Sequence, residues 1–186
     1  VKKSEENKVF IEYIKFIGPK KTESGKLTEQ RSKLKSEDPK FKELGDKIDA
    51  INKEVIDYQN NLIKSNPGKL VSKIVKMSMD IDIPEAPKDA SGKIIDSNFR
   101  FNYFRTHFWD NVDLKDDRLV NTPVFHSKLE YYFGKNMMIQ HWDTVLNHAY
   151  TFCDALNPKS KTFEYCVSWL TSSYGKSNIM GMDKVY

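Results

Sequence analysis

Residues 41–62 read FKELGDKIDAINKEVIDYQNNL, and this stretch decides the fold. Its apolar residues follow one another in alternating steps of three and four, which is the heptad spacing of a helix with one apolar seam. We therefore expect a long helix here that packs along its length against a partner. The seam consists of Phe41, Leu44, Ile48, Ile51, Val55, Tyr58 and Leu62.

The partner helix is expected upstream of this seam. An apolar stripe begins near the start of the chain, and Pro39 breaks the chain between the two arms. Residues 5–65 are therefore predicted to form an antiparallel helical hairpin. Gly18-Pro19 predicts a bend or a break in the first arm, because proline removes an intrahelical hydrogen bond. The stripe consists of Val9, Phe10, Tyr13, Ile14 and Ile17, with fainter apolar positions at Leu27 and Leu34.

Five further helices are predicted after the breaker cluster at Asn66-Pro67-Gly68. Gly175 is expected to be the C-cap of the last of them. The two-residue alternation of a half-buried strand is absent, so the fold class is all-α with no sheet. The expected helices begin at Leu70, run over 99–109, begin at Pro123, and run over 141–156 and 161–174.

Aromatic residues divide the chain into two parts. Only five of the 23 aromatic residues come before Phe99, whereas 18 lie from Phe99 onward, so the packed body is expected to be C-terminal. We predict a coiled-coil-like helical hairpin over residues 1–66, attached to a compact aromatic-rich multi-helix body over 67–186. The two parts are interpreted as one structural unit cut from a longer protein.

The charge distribution bears on the class of partner. Residues 1–79 hold 18 Lys and Arg against 12 Asp and Glu, whereas residues 80–186 hold 12 against 14. Acidic residues alternate with the basic ones along the hairpin, which is typical of a solvated face, so nucleic-acid binding is not predicted. No apolar run is long enough for a membrane span, and no signal peptide is recognisable.

Histidines and aspartates are the candidate metal ligands of this chain. None of the four histidines is spaced four residues from another, as a helical ligand pair would be, and core or surface histidines are the better interpretation. An acidic run, Asp110, Asp113, Asp116 and Asp117, lacks the central Gly and distal Glu of a calcium-binding EF-hand loop. Helix capping and turn formation explain these aspartates more simply, so no metal or cofactor site is predicted.

Cys153 and Cys166 fall near apolar helical positions. A bridge between their two helices is geometrically feasible, and two buried free thiols are the alternative that we favour. Neither cysteine belongs to a CxxC pair, which is the spacing of a redox centre. With no GxSxG string and no Gly-rich phosphate loop either, no catalytic residue is predicted, and we do not expect this segment to be an enzyme.

Three strings in the second half of the chain carry a resemblance: FWDNVDL at 108–114, then Asp117-Arg118-Leu119 with Thr122-Pro123, and SNIMGMD at 177–183. They resemble the helical domain of unknown function that precedes a thioredoxin-like domain in envelope proteins of Gram-negative bacteria. The resemblance covers nearly the whole chain, including the hairpin. The motif residues that it implies for interaction are Trp109, Asp110, Asn111, Asp113, Arg118, Asn178, Met180 and Met182.

This resemblance implies a location in the periplasm or in an outer-membrane lipoprotein, and an attached C-terminal thioredoxin-like domain that carries the redox centre. The leading functional hypothesis is a non-catalytic helical accessory domain that positions a partner or substrate for that redox domain. An alternative is a self-associating coiled-coil module that forms homo-oligomers through the hairpin. A third hypothesis is a metal enzyme or hydrolase that uses Asp110, Asp113 and a histidine.

Overall fold

The described residues are mostly helical. A computed structural model describes residues 4–186, so the first three residues of the predicted hairpin domain lie outside this range. Residues 4–186 contain seven α-helices and no β-strand, which confirms the predicted all-α fold class. The helices are α1 Glu5–Ser32, α2 Pro39–Ser65, α3 Leu70–Met77, α4 Phe99–His107, α5 Pro123–Tyr132, α6 Trp142–Asp154 and α7 Lys161–Gly175.

The chain forms two compact units that meet between Met79 and Asp80. The predicted boundary lies earlier, after residue 66. The difference is α3, which packs against both α1 and α2 and therefore belongs with the hairpin. The first unit thus consists of α1, α2 and α3, and the second contains α4 to α7 with two short 3-10 helices at Leu119–Asn121 and Met182–Lys184.

Helices α1 and α2 form the predicted antiparallel pair. The ring of Phe16 stacks on that of Tyr58 with 4.1 Å between centroids, and further along the pair Lys20 Nζ lies 2.6 Å from Glu54 Oε2. Both helices begin at side-chain caps, where Ser4 accepts from the Asn7 N–H and Asp38 accepts from the Lys40 N–H. Every residue of the predicted α2 seam is buried or half-buried.

The seam of α1 differs from the apolar stripe read from the sequence. Ile14 belongs to the predicted stripe, but its side chain is 50% exposed. The buried and half-buried positions instead follow the heptad rhythm of α2 along the whole helix, and several of them are polar. Because polar residues occupy them, an apolar pattern alone could not trace this seam. Its residues are Phe10, Tyr13, Ile17, Lys20, Ser24, Leu27, Arg31 and, just beyond α1, Leu34.

Helix α1 runs without interruption through Pro19. Of the predicted bend or break, the break is wrong, because Pro19 stands in the interior of one continuous 28-residue helix. Tertiary packing outweighs the cost of the missing hydrogen bond, which is about 3 kcal/mol in a helix interior. Tyr13 and Ile17, immediately before Pro19, are both buried in the first unit and supply part of this packing.

Helix α3 is attached to the hairpin by its apolar face and by its first turn. Val71 and Val75 are buried in the same core cluster as Leu62 of α2. The residue that precedes α3 provides no side-chain cap, and Glu6 of α1 takes that role by accepting from the Leu70 N–H at 2.9 Å. The Ser72 hydroxyl donates to the carbonyl of Asn66. The hydrogen bond between Glu6 and Leu70 joins two residues that are 64 positions apart in the sequence.

The second unit is built on α5, α6 and α7. Phe125, Leu129, Val145 and Cys166 are fully buried, as the helical periodicity predicts. Tyr174 of α7 donates its hydroxyl proton to the carbonyl of Phe133 at 2.9 Å. Burial raises the pKa of this phenol to about 12, so the hydroxyl remains a hydrogen-bond donor at every physiological pH.

Three predicted helix ends differ from the structure, one of them that of α6, which ends at Asp154 rather than at residue 156. Helix α4 ends at His107, so Phe108 and Trp109 stand in the turn that follows it. Gly175 is the last residue of α7 rather than its cap, and Lys176 is the cap. A Cβ at Gly175 would lie 2.9 Å from Cδ2 of Tyr186, so the absence of a side chain makes room for the C-terminal ring.

Candidate functional site

The string around Trp109 lies in the aromatic centre of the second unit. The Trp109 ring contacts those of Phe152 at 4.7 Å and Tyr132 at 5.4 Å between centroids. Phe108, only 3% exposed, lies against Trp109 edge-on. The indole Nε1 of Trp109 is buried and has no hydrogen-bond acceptor among residues 4–186. Trp109 is therefore a packing residue of the second unit, and Asp110, which follows it, is exposed at the surface.

Those polar residues are engaged in turns. Asp110 Oδ2 lies 2.6 Å from Nδ1 of His107, and Asp113 accepts from the Lys115 N–H at 3.2 Å. Arg118 forms a two-pronged pair with Asp116, at 2.8 and 2.6 Å. Asn111, from the same string, directs its amide toward the carbonyl of Asp80 at 3.5 Å.

Asp117 links this loop to α7. Its carboxylate accepts from both the backbone N–H and the hydroxyl of Thr162, at 3.0 and 2.9 Å. The hydrogen bond from the Thr162 backbone, followed by that from its side chain, holds the pKa of Asp117 below its usual value. Asp117 therefore caps the start of α7 from a distance of 45 residues, together with the local cap Ser160.

The loop and the turn between α6 and α7 enclose a cleft of about 710 Å³. Val112 and Leu156, both nearly buried, form an apolar floor. The rim carries the exposed ammonium groups of Lys115 and Lys159 and the amide of Asn157. This volume falls within the roughly 300–1,000 Å³ of typical ligand pockets, so the cleft can accept a small apolar group with polar atoms around it. Of the predicted motif residues, only Asp113 lines it.

The two cysteines are free thiols. Burial raises the pKa of Cys166 to about 12 and also raises that of Cys153, so neither thiol is ionised near neutral pH. Such thiols are poor nucleophiles for disulfide exchange. Among residues 4–186, no three His, Cys, Asp or Glu side chains lie close enough together to share a metal ion.

The last string, residues 177–183, lies at the C-terminus of the second unit, where the short helix Met182–Lys184 packs against α6 and α7. Asn178 and Met180 are exposed, Met180 almost completely, whereas Met182 is fully buried. Gly181 has a φ of +85°, which favours glycine, and a Cβ there would lie 3.1 Å from the Trp142 ring. Gly181 therefore allows the C-terminal segment to approach α6 closely.

One polar contact was not anticipated from the sequence. Nδ1 of His126 on α5 forms a 2.7 Å hydrogen bond with the hydroxyl of Tyr165 on α7, and its Nε2 lies 3.3 Å from Oε1 of Glu130. The spacing of four residues between His126 and Glu130 could have indicated their proximity on a helix. Nothing in the sequence could have indicated Tyr165, because its proximity depends on how α5 packs against α7.

Compared with known protein families, curated protein sequences and solved structures, the chain has no match in any of the three. The resemblance drawn from its strings therefore stays a prediction. No helix among the described residues is both long enough and apolar enough to cross a membrane.

Proposed function

We propose that this chain is a non-catalytic helical accessory module of an envelope protein with an attached thioredoxin-like domain, and that it holds a peptide segment of a partner or substrate. The observation that supports this most is the cleft between residues 112–117 and 155–160. Its apolar floor suits one apolar side chain, and its amide and lysine rim suits a peptide backbone and a neighbouring acidic side chain.

The charges around the cleft favour an acidic peptide. Both carboxylates that line it already accept hydrogen bonds, Asp113 from the Lys115 N–H and Asp117 from Thr162. The ammonium groups of Lys115 and Lys159 are exposed at the rim. The two carboxylates thus have part of their hydrogen-bonding capacity taken up by the chain itself, whereas the two ammonium groups can each pair with an acidic side chain of a bound peptide.

Panning of a phage-displayed random peptide library on the 186-residue chain tests the proposal. We expect a consensus with an apolar residue beside Asp or Glu, and at least about tenfold weaker binding of that peptide to Leu114→Glu and Lys159→Glu variants. Lys135→Glu, an exposed lysine outside the cleft, is the matched control. Enriched peptides that bind all variants equally, or a library without a consensus, would refute the cleft as the binding site.

The link to a redox domain has its own test. Sequencing of the parent open reading frame beyond the codon for Tyr186 is expected to show a CxxC that follows a predicted strand. A downstream sequence without thioredoxin-like features would refute the attached redox domain. The peptide experiment would still test whether the cleft binds a peptide.

The alternative, self-association through the hairpin, is disfavoured by the fold. The α2 seam on which it depends is covered by α1 of the same chain, and Ile51 at its centre is only 8% exposed. A homo-oligomer would therefore have to use another surface, or exchange arms between two chains.

A further inference from the structure

The end of the first unit where α3 lies has an unusual charge pattern. From Tyr58 to Met79 the sequence contains four lysines and not one Asp or Glu, although residues 1–57 contain 12 acidic residues. Three of these lysines follow the rhythm of α3, at Lys69, Lys73 and Lys76, and Lys64 occupies the last turn of α2. On a helix, this spacing places the three on one face over about 10 Å.

The fold directs three of these four lysines toward solvent. The opposite side of α3 is buried, with Val71 and Val75 at 3% and 0% exposure, while Lys64, Lys69 and Lys76 are exposed. The Nζ of Lys69 donates to the neutral side chain of Asn66 at 3.0 Å, so this contact leaves its charge uncompensated. In the first turn of α1, Glu5 pairs with Lys8, and Glu6 accepts the Leu70 N–H hydrogen bond.

Apolar side chains are exposed at the same end of the hairpin. Ile11 and Ile14 of α1 and Ile56 of α2 are each about half exposed, and the Tyr13–Gln59 hydrogen bond places these stretches side by side. A basic surface with exposed aliphatic residues fits the interface of an anionic bilayer, where lysines meet the headgroups and isoleucines enter the acyl boundary. Nucleic acid fits less well, because it would gain nothing from the isoleucines.

We propose that the exposed lysines Lys64, Lys69 and Lys76 bind the surface of an anionic phospholipid bilayer and hold the first unit there peripherally. The attraction is electrostatic and amounts to about fivefold in binding per lysine at low ionic strength. This inference concerns the first unit alone and is independent of the peptide cleft of the second.

Co-sedimentation with unilamellar vesicles tests the proposal. The chain is expected to pellet with vesicles of 30% phosphatidylglycerol in phosphatidylcholine at 50 mM NaCl, to be released at 300 mM NaCl, and not to bind pure phosphatidylcholine. The combined variant Lys64→Glu, Lys69→Glu and Lys76→Glu should lose about 100-fold in binding or more. The corresponding triple glutamine variant, which leaves the dipole of α3 undisturbed, should lose less but in the same direction.

The matched control reverses three exposed lysines near the tip of the hairpin, Lys26, Lys35 and Lys42. It changes the net charge equally at roughly 30 Å along the helices from α3, which is about two Debye lengths at the salt concentration of the assay, and should bind like the parent. Absence of binding at 50 mM NaCl, or equal loss in the control, would overturn the proposal. So would binding of a 20-base-pair DNA duplex through the same lysines without binding of vesicles.

Discussion

At the scale of single residues, Asp117 joins the polar loop of the second unit to α7. Its pKa is held below the ordinary value by the hydrogen bonds from Thr162. A carboxyl whose pKa is lower in the folded state contributes stability that is fully present above its unfolded pKa, near 3.9, and is lost as the pH falls through its folded pKa.

Asp117→Asn is therefore expected to lower the urea midpoint of the second unit at pH 7, and the difference from the parent should shrink as the pH falls below about 4. Tryptophan fluorescence measures this directly, because Trp109, Trp142 and Trp169 all lie in the second unit. Asp154→Asn, on an exposed carboxylate, is the control. A difference that stays constant down to pH 2.5 would show that the charge of Asp117 is not involved.

The thiols allow a second prediction at this scale. Because Cys166 is buried and its pKa is raised to about 12, it should react with a disulfide reagent at neutral pH only after the second unit unfolds, whereas half-buried Cys153 should react slowly in the folded chain. Reagent kinetics with Cys153→Ser and Cys166→Ser variants distinguish the two. Efficient thiol-disulfide exchange by the intact chain, abolished in Cys153→Ser, would contradict the non-catalytic role.

At the scale of the elements, α1 is a helix that tolerates an internal proline. Pro19 is exposed, and its ring removes one hydrogen bond from a helix that is otherwise continuous from Glu5 to Ser32. The helix persists because its buried face packs against α2 and α3. The lost hydrogen bond still lowers the free energy of unfolding of the first unit.

Pro19→Ala should therefore stabilise the first unit by about 1–3 kcal/mol, since it restores the hydrogen bond and a good helix former. Far-UV circular dichroism during urea unfolding gives the free energy. Lys21→Ala, at an exposed position in the same turn of α1, is expected to change the stability by less than about 0.5 kcal/mol. Equal effects of the two substitutions would mean that Pro19 costs the helix nothing.

At the scale of the whole molecule, the division after Met79 separates a hairpin unit from an aromatic unit. All three tryptophans lie in the second unit, so fluorescence follows that unit while circular dichroism follows both. The two units can therefore be observed separately in the intact chain.

Ile51→Asp places a carboxylate in the buried seam between α1 and α2 and should destabilise the first unit by on the order of 3 kcal/mol or more. We expect the dichroism transition to move to lower urea while the fluorescence transition stays in place. Ile56→Asp, on the exposed side of the same helix, should leave both within about 0.5 kcal/mol. An oligomeric parent that becomes a folded monomer with Ile51→Asp would instead support the coiled-coil alternative.

The sequence by itself determined the fold class and nearly every helix of this protein. The heptad spacing from Phe41 to Leu62 fixes one face of α2, and an apolar face of that length has to be covered. The turn role of the aspartates was equally predictable, because short acidic side chains after a helix favour caps and turns.

Only the tertiary structure decided what covers that face and where the candidate site lies. Lys20, Ser24 and Arg31 carry no apolar signal, and they line the seam because α1 is held there by its apolar first half. The cap from Asp117 to Thr162 and the cleft beside it join segments about 45 residues apart. Such proximity arises from the packing of helices on one another, which local periodicity does not encode.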